Sequence, residues 1–97
     1  MNKNEYILKI IWTKSYLAIA VEKLYKTTAI PLTTFFFWPR EDGWKLLEKE
    51  LDSKPWINKD DKIQILNMYT NIINIWIKND DEKLSRLDKK KYKIIGL

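Results

Sequence analysis

Apolar and polar positions alternate almost from the start of the chain. Tyr6, Leu8, Ile10 and Trp12 recur at every second position with Ile7, Lys9 and Ile11 between them, so the spacing predicts a strand over 6–12. Thr13 to Ser15 forms a short polar turn, and Tyr16 to Val21 returns as a second strand. Leu17, Ile19 and Val21 share one side of it, while Ala18 and Ala20 leave room on the other. A hairpin is the economical reading. Two strands alone are marginal in water, so other elements must cover them. Glu22 to Thr28 reads as a polar, lysine-bearing connection. Within the apolar stretch 29–38, Thr34 to Trp38 reads as a third extended segment, and Pro31 keeps the beginning of that stretch out of a central ladder position.

The period then changes from two to between three and four. Pro39 opens a helix, with Glu41 and Asp42 near its positive end and Trp44, Leu47 and Leu51 along a narrow apolar stripe. Gly43 lowers helix propensity there, which points to a neighbour that a side chain would meet. Ser53-Lys54-Pro55 ends the helix and Trp56-Ile57 is an extended link. Asn58 is an N-cap for a second helix, with Asp60 and Asp61 in its first turn, running to about Lys78. Ile65, Leu66, Tyr69, Ile72, Ile73, Trp76 and Ile77 form a broad apolar stripe. Gln64, Asn67, Asn71, Asn74 and Lys78 lie opposite.

Beyond Lys78 the pattern fades. Asp80, Asp81 and Glu82 lie outside the helix or at its end, and Lys83 to Leu97 has only weak periodicity through Leu84, Leu87, Ile94 and Ile95. This reads as a segment ordered, if at all, on a partner. The expected fold is α+β, a small antiparallel sheet (an N-terminal hairpin plus a third extended segment) covered by two helices. The domain spans 6–78, with a basic C-terminal extension over 79–97.

Composition narrows the chemistry. Leu, Ile, Val and Phe make up 29 of 97 residues, enough for a real core. The chain has no Cys and no His, so disulfides, thiolate nucleophiles, Cys/His zinc sites and imidazole bases are excluded. No apolar run approaches a membrane span, and Met1 to Glu5 carries no signal core or transit character. No catalytic residue, metal site, cofactor, membrane contact or small-molecule substrate is expected. The 16 Lys against two Arg, with 14 Ile and seven Asn, carry the codon signature of an AT-rich genome. Many Ile and Lys choices therefore say little about function.

The net charge of +5 is unevenly spread. Residues 1–28 carry +3, 29–58 carry −1, 59–82 carry −2 and 83–97 carry +5. Cationic ends suit a polyanion, because counterion release needs only positive charge within reach of a phosphate backbone. The plainer alternative is a lysine-rich tail that keeps the protein soluble. Lys9, Lys14, Lys23, Lys26, Arg40, Lys89, Lys90, Lys91 and Lys93 are the candidate RNA-phosphate contacts. The carboxylate clusters 60–61 and 80–82 read as solvated groups at helix ends rather than acid–base pairs or a cation site. The aromatic run to Trp38, with Trp44 and Trp56, could stack bases, although core building is its ordinary use in so small a domain. Arg40 could fork to phosphate or pair with Glu41 or Asp42. There is no glycine-rich phosphate loop, RNA-binding aromatic motif or helix-turn-helix spacing.

The string Pro31-Leu-Thr-Thr-Phe-Phe-Phe-Trp-Pro-Arg40, with Asp42, Trp44 and Lys54-Pro-Trp-Ile57, resembles the plastid-specific ribosomal protein 3 (Ycf65) family of chloroplasts and cyanobacteria. Asp61, Leu66-Asn67, Thr70, Asn74-x-Trp76, the strand ending in Trp12 and the Ala18/Ala20 strand extend the likeness over about residues 6–78. Gly43 stands where alanine is expected, and the basic tail lies outside the matching region. The resemblance implies a non-enzymatic component of the chloroplast 30S ribosomal subunit. Its partners would be 16S-type ribosomal RNA and small-subunit ribosomal proteins, in support of assembly or translation. A location in the chloroplast stroma, with a gene still held in the plastid genome, is expected ahead of a cyanobacterial cytoplasm. The rival is a protein–protein adaptor that uses the wide apolar face of helix 58–78 without touching nucleic acid.

Overall fold

The structure is a computed structural model and describes residues 4–96. In chain order it contains β1 (Glu5–Trp12), β2 (Leu17–Tyr25), β3 (Thr28–Pro31), β4 (Phe36–Trp38), α1 (Gly43–Asp52), α2 (Lys59–Lys78), α3 (Asp81–Ser85) and β5 (Tyr92–Ile95). The strand order is β3, β2, β1, β5, with β4 also on β2. The fold is α+β, as the hydrophobic pattern implies. The sheet is mixed rather than purely antiparallel, because β5 runs parallel to β1.

β1 and β2 pair antiparallel with Leu8 opposite Val21 and Lys9 opposite Ala20. Alternation then sends Tyr6, Leu8 and Ile10, with Leu17, Ile19 and Val21, to the face the helices cover. These side chains meet Leu47 and Leu51 of α1 and Ile65, Tyr69 and Ile72 of α2 in one core. Both long helices carry side-chain caps. Asp42 Oδ1 accepts from the Lys45 N–H at 3.2 Å, and Asn58 Oδ1 from the Asp61 N–H at 2.8 Å. Asn79 closes α2 in the left-handed region, at φ 51°.

Five expectations are corrected. Residues 22–28 are not a loose connection. β2 continues to Tyr25 and turns back through Lys26, whose φ is 56°, into β3. No Gly or Asn marks this turn, and the polar residues fit because that end of β2 is partly open to water. β3 and β4 are two stretches of one returning segment. Between them the Leu32 N–H donates to the Val21 carbonyl at 2.9 Å, and Thr33 Oγ1 accepts from the Val21 N–H at 3.0 Å. Second, α1 starts at Gly43 rather than Pro39. Pro39 follows a cis peptide bond and lies in a turn, where the Glu41 carboxylate accepts from the Phe37 N–H at 2.9 Å.

Third, the segment beyond Lys78 is ordered within the molecule. Asp80 caps α3 through the Lys83 N–H at 3.1 Å, and β5 joins the sheet with Tyr92 level with Leu8 and Ile95 level with Ile11. Fourth, Trp56 lies in a turn, not in an extended link. Fifth, the buried arc of α2 is rotated from the expected stripe. Met68 and Ile75 are buried, whereas Ile77 is 57% exposed. Met68 and Asn71 lie beside Leu87 and Tyr92, and Asn71 Nδ2 donates to Tyr92 Oη at 3.3 Å. The unforeseen C-terminal segment thus lies along the Met68–Asn71 side of the helix.

Candidate nucleic-acid interface

Helices cover one face of the sheet only. Ile7, Lys9 and Ile11 of β1 point to the other face, as do Ala18, Ala20 and Glu22 of β2 and Lys93 and Ile95 of β5, by register and alternation. Lys9 and Lys93 are register partners on adjacent parallel strands, so two ammonium stems lie side by side at the middle of this uncovered face. No helix supplies a carboxylate to them, and Glu22 of the same face makes no ion pair with either.

The remaining candidate cations fall into two groups at opposite ends of the strands. Lys14 lies in the turn between β1 and β2, and Arg40 in the turn before α1. Both are exposed, and the pairing of Leu17 with Trp38 brings these turns to the same end. At the other end, Lys26 sits in the β2–β3 turn with its Nζ 5.8 Å from the Tyr25 ring centroid. Lys23, opposite Tyr6, is half-buried there. Lys90 and Lys91 line a concavity of about 530 Å³ with Asn4, Glu5, Tyr6 and Leu24, and Lys89 precedes them. The nine residues therefore make one central pair and two end clusters, not a single patch.

Sorted by layer, the charge is more ordered than it is along the chain. The sheet-bearing segments, residues 4–40 and 87–96, carry those nine bases and only three acids, Glu5, Glu22 and Asp88. Residues 41–86, which hold the helices, carry eight bases and ten acids. All three ion pairs among the described residues join groups of the helical part: Glu50–Lys54, Asp52–Lys62 and Glu82–Arg86. Among the described residues none of the nine sheet-layer cations is paired. Lys45, Lys49, Lys59, Lys78 and Lys83 of the helical part are unpaired as well, so the layers differ in net charge, the sheet layer being strongly basic and the helical part slightly acidic.

Both ends of the hairpin are tied to α2. Tyr6 Oη donates to Asp61 Oδ2 at 2.9 Å, and Asn4 Nδ2 donates to the same oxygen at 3.1 Å. Trp76 Nε1 donates to the Thr13 carbonyl at 2.8 Å. The Trp76 bond ties the turn that carries Lys14 to α2, and the bonds from Tyr6 and Asn4 give Asp61 a positioning task beyond its place in the first helical turn.

The aromatic residues divide. Phe36 and Trp38 pack against the core, but Phe37 points the other way and is 41% exposed. Tyr16, which the hydrophobic pattern does not single out, is 38% exposed, and its ring centroid lies 5.9 Å from that of Phe37. Strict alternation through Phe36-Phe37-Trp38 was the available signal for Phe37; for Tyr16 only its place just before an inward Leu17 could have served. Trp44 is 36% and Trp56 68% exposed, both on the helical side. Among the described residues no group of three or more carboxylates could hold a metal ion, and no helix is long and apolar enough to cross a membrane.

A sequence model described as "Plastid and cyanobacterial ribosomal protein (PSRP-3 / Ycf65)" matches residues 32–79. The small ribosomal subunit protein cS23 of Gracilaria tenuistipitata var. liui is 44% identical over 90 residues, covering 93% of this chain and 89% of that protein. The probable small ribosomal subunit protein cS23 of Synechococcus sp. (strain JA-3-3Ab) is 46% identical over 72 residues, covering 74% and 73%. The cS23 protein of Mesostigma viride is 39% identical over 85 residues, covering 88% and 68%. The matched segment takes in β4, α1 and α2 with their caps, and the 90-residue Gracilaria alignment takes in most of the sheet as well. The chain belongs to the PSRP-3/Ycf65 family of plastid and cyanobacterial ribosomal proteins, which are structural proteins and not enzymes.

Proposed function

We propose that this protein is a structural component of the plastid 30S ribosomal subunit, located in the stroma, and that it grips 16S-type ribosomal RNA with the sheet layer. Small-subunit ribosomal proteins are its other neighbours, and the role is support of assembly or translation. The observation that carries the reading is the separation of charge. Nine unpaired cations stand on the sheet and its turns against three acids, while the helical part, with eight bases and ten acids, is net acidic. Lys9 beside Lys93 is unfavourable without an anion over it, since like charges on adjacent strands repel. A phosphate backbone running along the strands would meet the central pair and both end clusters; an eight-residue strand spans about 26 Å.

The adaptor reading keeps only part of its face, with Ile77 exposed. Ile65, Tyr69, Ile72 and Ile73 of helix 58–78 are spent on the core. Two measurements test the RNA reading. Tagged protein should stay with 30S particles through sedimentation in moderate salt. Its affinity for small-subunit RNA should fall with salt at a slope of roughly −0.7 to −0.9 per phosphate met, summed over several phosphates. A flat salt response would overturn the proposal.

A further inference from the structure

At the end of the sheet where β4 leads towards α1, two aromatic rings stand outside the core. The planes of Tyr16 and Phe37 are inclined at 53°, so the pair forms an open V rather than a closed stack. Phe37 is the register partner of Ala18 on the uncovered face. Ser15, Tyr16, Phe37, Pro39 and Arg40 together line a concavity of about 480 Å³. Arg40 is exposed and unpaired, and Lys14 precedes Ser15 in the same turn.

Neither wall depends on the rings for its shape. Thr13 Oγ1 accepts from the Tyr16 N–H at 3.0 Å and donates to the Tyr16 carbonyl at 2.8 Å, which fixes the turn that carries Tyr16. The Glu41 carboxylate is engaged by the Phe37 N–H and so fixes the turn that carries Arg40. The backbone that carries both rings is therefore set in advance, which lowers the ordering cost to a ligand. A suitable ligand is flat and apolar on its faces and carries an anion close by. An inclined pair leaves one ring face free for stacking and offers the edge of the other, while a guanidinium forks to phosphate oxygens.

An unpaired nucleotide has both features, whereas a base inside a duplex shows no free face. We infer that Tyr16, Phe37 and Arg40 form a seat for one unpaired nucleotide of RNA, its base stacked on a ring and its phosphate at Arg40. This rests on the reading of the sheet layer as RNA-facing, since only a setting of unpaired cations favours a nucleotide over an aromatic side chain of another protein.

The test compares two RNAs matched to within one phosphate, a perfect duplex and one carrying a single bulged 2-aminopurine, each titrated with the full chain. The bulged RNA should bind about 5- to 100-fold more tightly, with its fluorescence quenched on binding. Phe37→Leu keeps the apolar bulk without the ring; it should lose this preference and keep the duplex affinity, while Phe37→Trp keeps both. Should Phe37→Leu fail to fold, by its circular dichroism melt, Tyr16→Leu asks the same question. Equal affinity for the two RNAs, or a preference that survives the leucine variants, would overturn the seat and leave salt-dependent RNA binding standing. Absence of binding to either RNA by the native chain would overturn both readings. Unchanged RNA binding by a leucine variant that no longer joins 30S particles would assign the rings to a polypeptide neighbour and also overturn the seat.

Discussion

Gly43 and Tyr69 hold the same small volume between them. A Cβ placed on Gly43 would lie 2.0 Å from Tyr69 Oη and 3.1 Å from its Cζ, and Tyr69 is fully buried, so the ring has no room to retreat. The glycine that costs helix propensity at the start of α1 is thus required by the ring packed against it, where the family resemblance leads to alanine. Gly43→Ala should cost about 1–3 kcal/mol in urea unfolding. In a Tyr69→Phe background most of that cost should vanish, because the closest clash goes with the hydroxyl. Tyr69→Phe alone should be neutral or stabilising by up to about 1 kcal/mol, since Tyr69 Oη is buried without a hydrogen-bond partner. Two tyrosines also set an alkaline limit. Burial, chiefly, pushes the Tyr69 hydroxyl up to about 12, with the nearby Asp42 and Glu41 charges adding to it. Burial first, then the hydrogen bond and charge of Asp61, push Tyr6 to about 12. Both groups are neutral in the fold at a pH where an unfolded tyrosine, near 10, has begun to ionise. Their contribution is therefore complete below pH 10 and is lost as pH rises from 10 through 12. The melting temperature should drop between pH 10 and 12, and drop less in Tyr6→Phe. In a 295 nm titration, Asp61→Asn should bring Tyr6 back only part of the way, because the burial remains.

At the scale of elements, what could be read in advance depended on whether an element announced itself by period and punctuation. Asn58, with an apolar repeat after it, marked the start of α2, and its end at Lys78 followed from the loss of that repeat. Tyr6 to Trp12 alternated strictly, and its inward set is the buried set. β5 carried an equally regular alternation, with Tyr92 and Ile94 turned inward and Lys93 and Ile95 outward, but over four residues beside a lysine run that resembles a solvated tail. β3 was hidden because its turn uses Lys26 in the left-handed region instead of Gly or Asn. The arc of α2 was misplaced because a helix repeat alone does not say on which side its neighbours stand. The nine cations were legible one by one, but their gathering on one layer needed the topology that returns residues 89–93 to β1. If β5 belongs to the folded core, Ile94→Ala should cost about 1–2 kcal/mol, while Lys93→Ala, one residue away on the open face, should change stability by less than about 0.5 kcal/mol. A tail ordered only on a partner would show no difference between the two in urea unfolding of the isolated chain.

Over the whole molecule, the layered charge predicts an orientation, and orientation separates specific recognition from simple attraction of a basic protein to RNA. A chain of net charge +5 binds any polyanion more weakly when three cations are removed, wherever they sit, if only the total matters. If the sheet side faces the RNA, location decides instead. The triple variant Lys9→Gln, Lys90→Gln, Lys93→Gln takes three unpaired cations from the sheet layer, and Lys45→Gln, Lys49→Gln, Lys59→Gln takes three exposed and unpaired ones from the helices. The two variants carry the same net charge and neither breaks an ion pair, so fold and long-range attraction are matched. The sheet-layer variant should reduce the magnitude of the salt slope by roughly 0.7–0.9 for each phosphate that it no longer neutralises. It should also bind small-subunit RNA at least about tenfold more weakly at about 100 mM salt. The helical variant should stay within about twofold of the native chain. Equal weakening in the two would mean that the protein presents no particular face to RNA, and the separation of charge between the layers would then be a by-product of where the helices place their capping acids.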